Sequence, residues 1–116
     1  MNIINGNNKY PDSVTIFIEI HAKDGEEEAA RKAFTTTIAT TEKPGLLGYE
    51  IFEDSNDPGT FYSTQEWDSI EAFHSHMSAA RSGLKEATSM LSDAPRTSIL
   101  KRIGRSSRSE ERRVGK

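Results

Sequence analysis

The chain has 116 residues, of which 34% are hydrophobic, and it carries a formal net charge of −3. This length allows one domain with a modest core, and the charge gives no basic surface for nucleic acid. The absence of cysteine excludes disulfides and thiolate metal sites, and no apolar run approaches the roughly 18 residues of a membrane span. We therefore expect one soluble cytoplasmic domain that binds neither nucleic acid nor membrane.

The first 13 residues are polar and rich in asparagine, and they end in the break Pro11-Asp12-Ser13. They lack the basic and then apolar layout of a signal peptide, so we expect a flexible leader. The folded domain is predicted to span residues 14–104.

A strand and a helix are predicted first. Val14–His21 alternates aliphatic residues with polar or aromatic ones, as a half-buried strand does. A helix opens on the acidic run that starts at Glu26, where negative charge suits the helix dipole, and its apolar spacing continues to Thr41. Pro44-Gly45 ends this helix.

A hairpin and a second helix follow. The predicted strands are Leu47–Glu53 and Thr60–Trp67, and the loop between them is rich in Asp, Asn, Pro and Gly. Asp68 or Ser69 can cap the helix that comes next. We expect this helix to break near Ser82-Gly83 and to continue as a short helical turn over residues 84–91.

The last predicted element is the strand Arg96–Ile103, which follows the stop at Asp93-Ala94-Pro95. The order of elements is then β-α-β-β-α-β, which predicts an α+β fold of the ferredoxin-like type.

Residues 105–116 are predicted to be a disordered tail. From Arg108 onward the tail carries four positive and two negative charges, as a basic arm for RNA or lipid would. However, the codons AGA-TCG-GAA-GAG-CGT-CGT-GTA-GGG-AAA encode these residues in order and resemble a common short-read sequencing adapter. Our hypothesis is that the segment is translated adapter, and it takes no part in the fold prediction.

Trp67 and Gln65 are the first candidate site residues. Strand alternation places them on the same face of the predicted third strand. A lone Trp at a strand end can be a core anchor, or it can form the wall of a pocket for a flat aromatic ligand. Gln65 offers a neutral amide to a polar group of such a ligand.

His74 and His76 lie near the margins of the apolar stripe of the second helix, and neither falls on its outer face. Each could be a half-buried histidine bound to a carbonyl, or a base that takes a proton from a phenolic hydroxyl near neutral pH. Two residues apart on a helix, they cannot share one metal ion, so no metal site is predicted. Tyr49 can be a wall residue or can orient a substrate oxygen.

A set of residues with characteristic spacing resembles the antibiotic biosynthesis monooxygenase family of small dimeric α/β barrels: Pro44-Gly45, Tyr49, Phe61, Trp67, Ser69, Ala72-Phe73 and His76. The resemblance implies a homodimer whose two sheets pack face to face. It also implies a monooxygenase that needs no cofactor and oxidises a small quinol-like or polyphenolic substrate with O₂. Its catalytic residues would be His76 and Trp67, and its substrate-binding residues would be Tyr49, Gln65, Phe73 and His74.

One position departs from the family pattern. The family commonly has Glu two residues before the Trp, and this chain has Gln65 there. Two other functions therefore stay open: an isomerase or degrader of a small signal molecule on the same scaffold, and a dimeric ligand-binding or stress-response module without catalysis.

Overall fold

The computed structural model describes residues 10–79 and 88–106. Its elements follow the predicted order: β1 Val14–His21, α1 Glu27–Thr40, β2 Leu46–Glu53, β3 Thr60–Trp67, α2 Ile70–Ala79 and β4 Arg96–Leu100. None of the helices in these two ranges is long and apolar enough to cross a membrane.

The strands form one antiparallel sheet in the order β2-β3-β1-β4. The chain passes from β1 through α1 to β2, and β3 then inserts between these two strands. This topology is ferredoxin-like, so the predicted α+β fold class is confirmed. The predicted dimer stays a prediction.

β3 lies inside the sheet and sets its register. Thr60 pairs with His21 at one end of the β1 ladder, and Trp67 pairs with Val14 at the other. Trp67 also pairs with Leu46 of β2, where a register shift precedes Gly48. At about 3.3 Å per residue, the strand separates these ends by roughly 23 Å.

The Trp67 end comprises Leu46, Trp67, Phe73 and His76. The Thr60 end comprises Glu19, His21, Asp57 and Thr60.

The core divides into two clusters along the sheet. One cluster, toward the Thr60 end, contains Ile20, Ala30, Phe61 and Leu91. The other, at the Trp67 end, contains Ile16, Trp67 and Phe73. Ile18 packs against both, so the two clusters form one continuous layer beneath the helices.

α1 packs on the sheet through few buried side chains, and an ion pair with β2 also holds it in place. Ala30 is fully buried, and Phe34 meets the Phe61 ring edge-on at 5.1 Å. The Arg31 guanidinium donates hydrogen bonds of 2.7 and 2.8 Å to the two carboxylate oxygens of Glu53 on β2. This bond, with a second from the Gly59 N–H, lowers the pKa of Glu53 to about 2.

α2 begins where the sequence predicts. Ser69 precedes the helix, and its Oγ accepts a hydrogen bond of 3.1 Å from the Ala72 N–H. Such a bond satisfies one of the free N–H groups of a first helical turn. Of the two predicted caps, Ser69 is therefore the one used.

The last strand is shorter than predicted, ending at Leu100 instead of Ile103. Leu100 pairs with Thr15, and β1 begins only one residue earlier, at Val14. Residues of the last strand far beyond Leu100 therefore have no residue of β1 to pair with. The predicted break near Ser82-Gly83, residues 84–87 of the predicted turn, residues 1–9 and the tail from residue 107 lie outside the described residues.

Candidate functional site

Trp67 is the most deeply placed aromatic residue of the site, with 1% of its surface exposed. Its Nε1–H donates a hydrogen bond of 2.9 Å to Oε1 of Gln65, which is itself buried. The prediction that these side chains share a face is confirmed. The bond fixes the plane of the indole, and Trp67 is packed as a core residue is. Its role as the wall of a pocket stays a prediction.

His76 lies against this indole. The two ring centroids are 5.1 Å apart and the planes are inclined by 30°. Within the described part of the chain, Nδ1 of His76 is buried and makes no hydrogen bond. Burial lowers the pKa of His76 below its ordinary value, and the positive charge of Lys43 lowers it further. The imidazole is therefore neutral at pH 7 and able to accept a proton.

The other two candidates on α2 differ in burial. Phe73 is 5% exposed and lies 6.2 Å from the Trp67 ring. His74 is exposed, although its ring centroid lies 5.6 Å from that of Phe73. The side chain of His74 is more exposed than its predicted position at the margin of the apolar stripe implies. α2 turns Phe73 and His76 toward the indole, and this rotation turns His74 outward.

Tyr49 lies opposite Gln65 on the neighbouring strand and faces the helices. Burial raises the pKa of its hydroxyl, and the nearby Ser63 side chain partly offsets the rise. The contact is loose, since Oγ of Ser63 is buried and makes no hydrogen bond of normal geometry within the described residues. Tyr49 is protonated at neutral pH and can donate a hydrogen bond. Ser63 is not among the predicted site residues, because its only signal in the sequence is its position on the buried face.

A small open cavity of about 220 Å³ adjoins Tyr49. It is lined by the α1–β2 connection and the start of β2: Thr41, Glu42, Lys43, Leu46, Leu47, Gly48 and Tyr49. Leu46 also packs against the cluster that contains Trp67 and Phe73, so one residue joins the cavity to the buried aromatic group.

The α1–β2 connection is held tightly against α2. Gly45 has a φ of 86°, and a Cβ placed there would lie 2.7 Å from Cβ of Ala72 and 2.8 Å from Oδ1 of Asp68. The Gly45 carbonyl accepts a hydrogen bond of 2.8 Å from the Asp68 N–H, and the Lys43 carbonyl accepts one of 3.1 Å from Leu46. Only glycine fits this turn, which fixes Lys43 beside α2. Lys43 is not among the predicted site residues, because its effect on His76 depends on tertiary structure.

A larger open cavity, of about 630 Å³, lies at the Thr60 end. Several of the polar side chains at this end are hydrogen-bonded to one another. His21 contacts Oε2 of Glu19 at 2.8 Å and Oγ1 of Thr60 at 3.1 Å, and Thr60 donates to Oδ2 of Asp57 at 2.8 Å. In the described ranges there is no group of three or more His, Cys, Asp or Glu residues that could hold a metal ion.

Solved structures share this fold. The PA3566 protein of Pseudomonas aeruginosa superposes with a TM-score of 0.72 at 20% identity, covering 84% of this chain and 100% of its own. Rv0793 of Mycobacterium tuberculosis gives a TM-score of 0.72 at 15% identity, covering 83% and 100%. An antibiotic biosynthesis monooxygenase gives 0.70 at 16% identity, covering 78% and 99%. No protein of curated function matches the sequence.

The family model for antibiotic biosynthesis monooxygenases matches residues 13–82, which run from the start of β1 past the end of α2 and include every candidate site residue. The match covers more than half of the chain, and the shared fold agrees with it. The chain belongs to the antibiotic biosynthesis monooxygenase family.

Proposed function

We propose that this protein is a cofactor-independent monooxygenase that oxidises a small quinol-like or polyphenolic substrate with O₂. Membership of the family supports oxygen chemistry. The observation that carries the proposal is the imidazole of His76, which lies against Trp67 with Nδ1 buried and unpaired in the described chain. A neutral, partly desolvated imidazole is a suitable base for a phenolic hydroxyl.

In this proposal His76 removes the proton of a substrate hydroxyl. The resulting anion is electron-rich and reacts with O₂ at a ring carbon. One oxygen atom stays on the ring and the other leaves as water, and the substrate itself supplies the electrons as the quinol becomes a hydroxylated quinone. No external reductant is needed.

The remaining candidates position the reactants. Trp67 and its bond to Gln65 hold the imidazole in place, and Phe73 supports the indole. Tyr49 keeps its proton at neutral pH and donates a hydrogen bond to a substrate oxygen. His74, which is exposed, would contact substrate only at the mouth of the site. The cavity beside Tyr49 suits a single-ring compound.

The test is oxygen uptake by the full chain with a panel of hydroquinones, without added metal or flavin. We expect His76→Ala to lower kcat/KM about 100-fold or more, as the loss of a general base does. His74→Ala, two residues away on the same helix, should affect KM at most. Retained turnover in a folded His76→Ala protein would remove this base from the mechanism.

A ligand-binding module without catalysis is the second candidate, and the bonding of Gln65 favours it. The side chain is a neutral amide where the family commonly has Glu, and its carbonyl is already occupied by the Trp67 N–H. It therefore cannot polarise His76 as a carboxylate would. Binding of hydroquinones, detected by quenching of the fluorescence of the single Trp, without oxygen uptake would support this function.

We also propose that the protein acts as a homodimer through the sheet face opposite the helices. Phe17 and Tyr62 stack on this face at 5.9 Å, and Phe52 and Leu100 are 51% and 43% exposed. Exposed apolar groups on one face are typical of protein interfaces. Sedimentation should give a dimer for the unaltered chain and a monomer for Phe52→Asp. A monomer for the unaltered chain would contradict the proposal.

A further inference from the structure

We infer that Lys43 is a substrate-binding residue that stabilises the oxyanion of the substrate, so that the site binds a phenolate more tightly than a neutral ring of the same shape. The inference rests on the proposed function for the reaction, but the binding preference can be measured without turnover. Lys43 and Tyr49 line the same small cavity, one with an ammonium group and one with a hydroxyl.

The backbone fixes where the charge of Lys43 can act. The turn at Gly45 leaves no space for a side chain between Ala72 and Asp68, so the α1–β2 connection cannot move away from α2 without breaking this contact. Lys43 is exposed and makes no ion pair among those of the described residues, so its ammonium group can turn toward a ligand.

Groups of both charges lie at or near the cavity, so the preference for an anion depends on the positive charge of Lys43. Glu42 lines the same cavity and Asp68 lies against the turn, and both would repel an anion. Lys43 is nevertheless a charged group that acts on His76, where its positive charge adds to burial in lowering the pKa of the imidazole. The same field that disfavours a second proton on His76 stabilises an oxyanion formed beside it.

Two ligands of similar shape test the preference. The probes are 4-nitrophenol, held above the pH at which it ionises, and 4-nitroanisole, which cannot ionise. The fluorescence of the single Trp reports binding. Lys43→Met should weaken binding of the phenolate about fivefold, as expected for an exposed ion pair, and leave binding of the anisole unchanged. Lys32→Met, an exposed lysine on α1, is the control and should change neither.

A second readout uses the protein without ligand. Removing the charge of Lys43 should raise the pKa of His76 in an NMR titration, whereas Lys32→Met should not. Equal losses for both probes, no loss for the phenolate, no phenolate binding by the unaltered chain, or an unchanged His76 titration would each overturn the inference. Failure to consume oxygen with hydroquinones would count against the proposed monooxygenase alone, because neither readout requires turnover.

Discussion

The two ends of β3 differ in cavity size and in hydrogen bonding. The end with the larger cavity has the side chains that are bonded to one another, and the end with the smaller cavity has, within the described chain, a buried polar atom without a partner. The Thr60 end has the larger cavity, about 630 Å³, but the side chains of His21, Thr60 and Asp57 bond to one another. The Trp67 end has a cavity of about 220 Å³, and there, among the described residues, Nδ1 of His76 is buried without a hydrogen-bond partner.

Unpaired buried polar atoms destabilise a fold, so a protein that keeps them usually has a use for them. Polar groups that are already hydrogen-bonded to one another have fewer free donors and acceptors for a ligand. The state of hydrogen bonding therefore favours the Trp67 end as the proposed site, although its cavity is the smaller one.

Trp67→Ala should lower the free energy of unfolding by about 3–5 kcal/mol, because it removes a large side chain that is 1% exposed. Urea denaturation followed by circular dichroism would measure this, since the substitution removes the only Trp. Trp67→Phe is the matched control and should cost less because the ring volume is partly kept. A loss below about 1 kcal/mol for Trp67→Ala would show that the Trp67 end is not a packed core.

Gly45→Ala and Gly25→Ala compare the turns at the two ends. Both glycines have positive φ, 86° and 90°, but a Cβ at Gly25 meets nothing within 4 Å, whereas one at Gly45 collides with Ala72. Each substitution should cost about 1–2 kcal/mol from backbone strain, and Gly45→Ala should cost more because of the collision. Equal losses in thermal or urea unfolding would mean that the turn beside α2 is loose.

Thr60→Val and Ser63→Ala compare a paired hydroxyl with an unpaired one on the same strand. Thr60→Val removes bonds to His21 and Asp57 and should lower the free energy of unfolding by about 1 kcal/mol. Ser63→Ala removes a buried hydroxyl without a partner of normal geometry, so it should leave stability unchanged or raise it by up to about 1 kcal/mol. A larger loss for Ser63→Ala in urea denaturation would reverse the comparison.

The smallest predicted effect is a pH dependence from His76. Its pKa is lowered in the fold, so below the ordinary value of 6.5 the unfolded chain binds more protons than the folded one. Stability should therefore be fully present above about pH 6.5 and fall as the pH decreases from there. His76→Gln should flatten this slope in urea titrations, and His74→Gln should leave it in place. An unchanged slope in His76→Gln would show that the imidazole is not desolvated.

Much of this fold follows from local pattern. Period-two alternation and Gly- or Pro-containing turns fix the strands, and the same alternation places Gln65 and Trp67 together because they are two residues apart. Ser69 as a cap is equally local. These predictions succeed because the physics acts within one element.

The parts that the sequence did not reveal depend on contacts between elements. Spacing alone could not show that the carbonyl of Gln65 binds the indole N–H, that Lys43 acts on His76, or that His21 meets Thr60, 39 residues away. The end of β4 also depended on its partner, because Leu100 is paired close to the start of β1. Such contacts depend on the register of pairing between strands. No hairpin turn joins β1 to β3, so their register cannot be read from a local sequence pattern.

The continuity of β3 has a consequence for how such a protein can change. A residue deleted within the strand would exchange its two faces beyond that point, moving Gln65 and Trp67 from the helices to the opposite surface. A residue added in the loop of residues 54–59 would leave the pairing of Trp67 with Leu46 and Val14 intact. Insertions and deletions should therefore occur in that loop during evolution. Within β3, the chemistry of the Trp67 end should change by substitution of side chains.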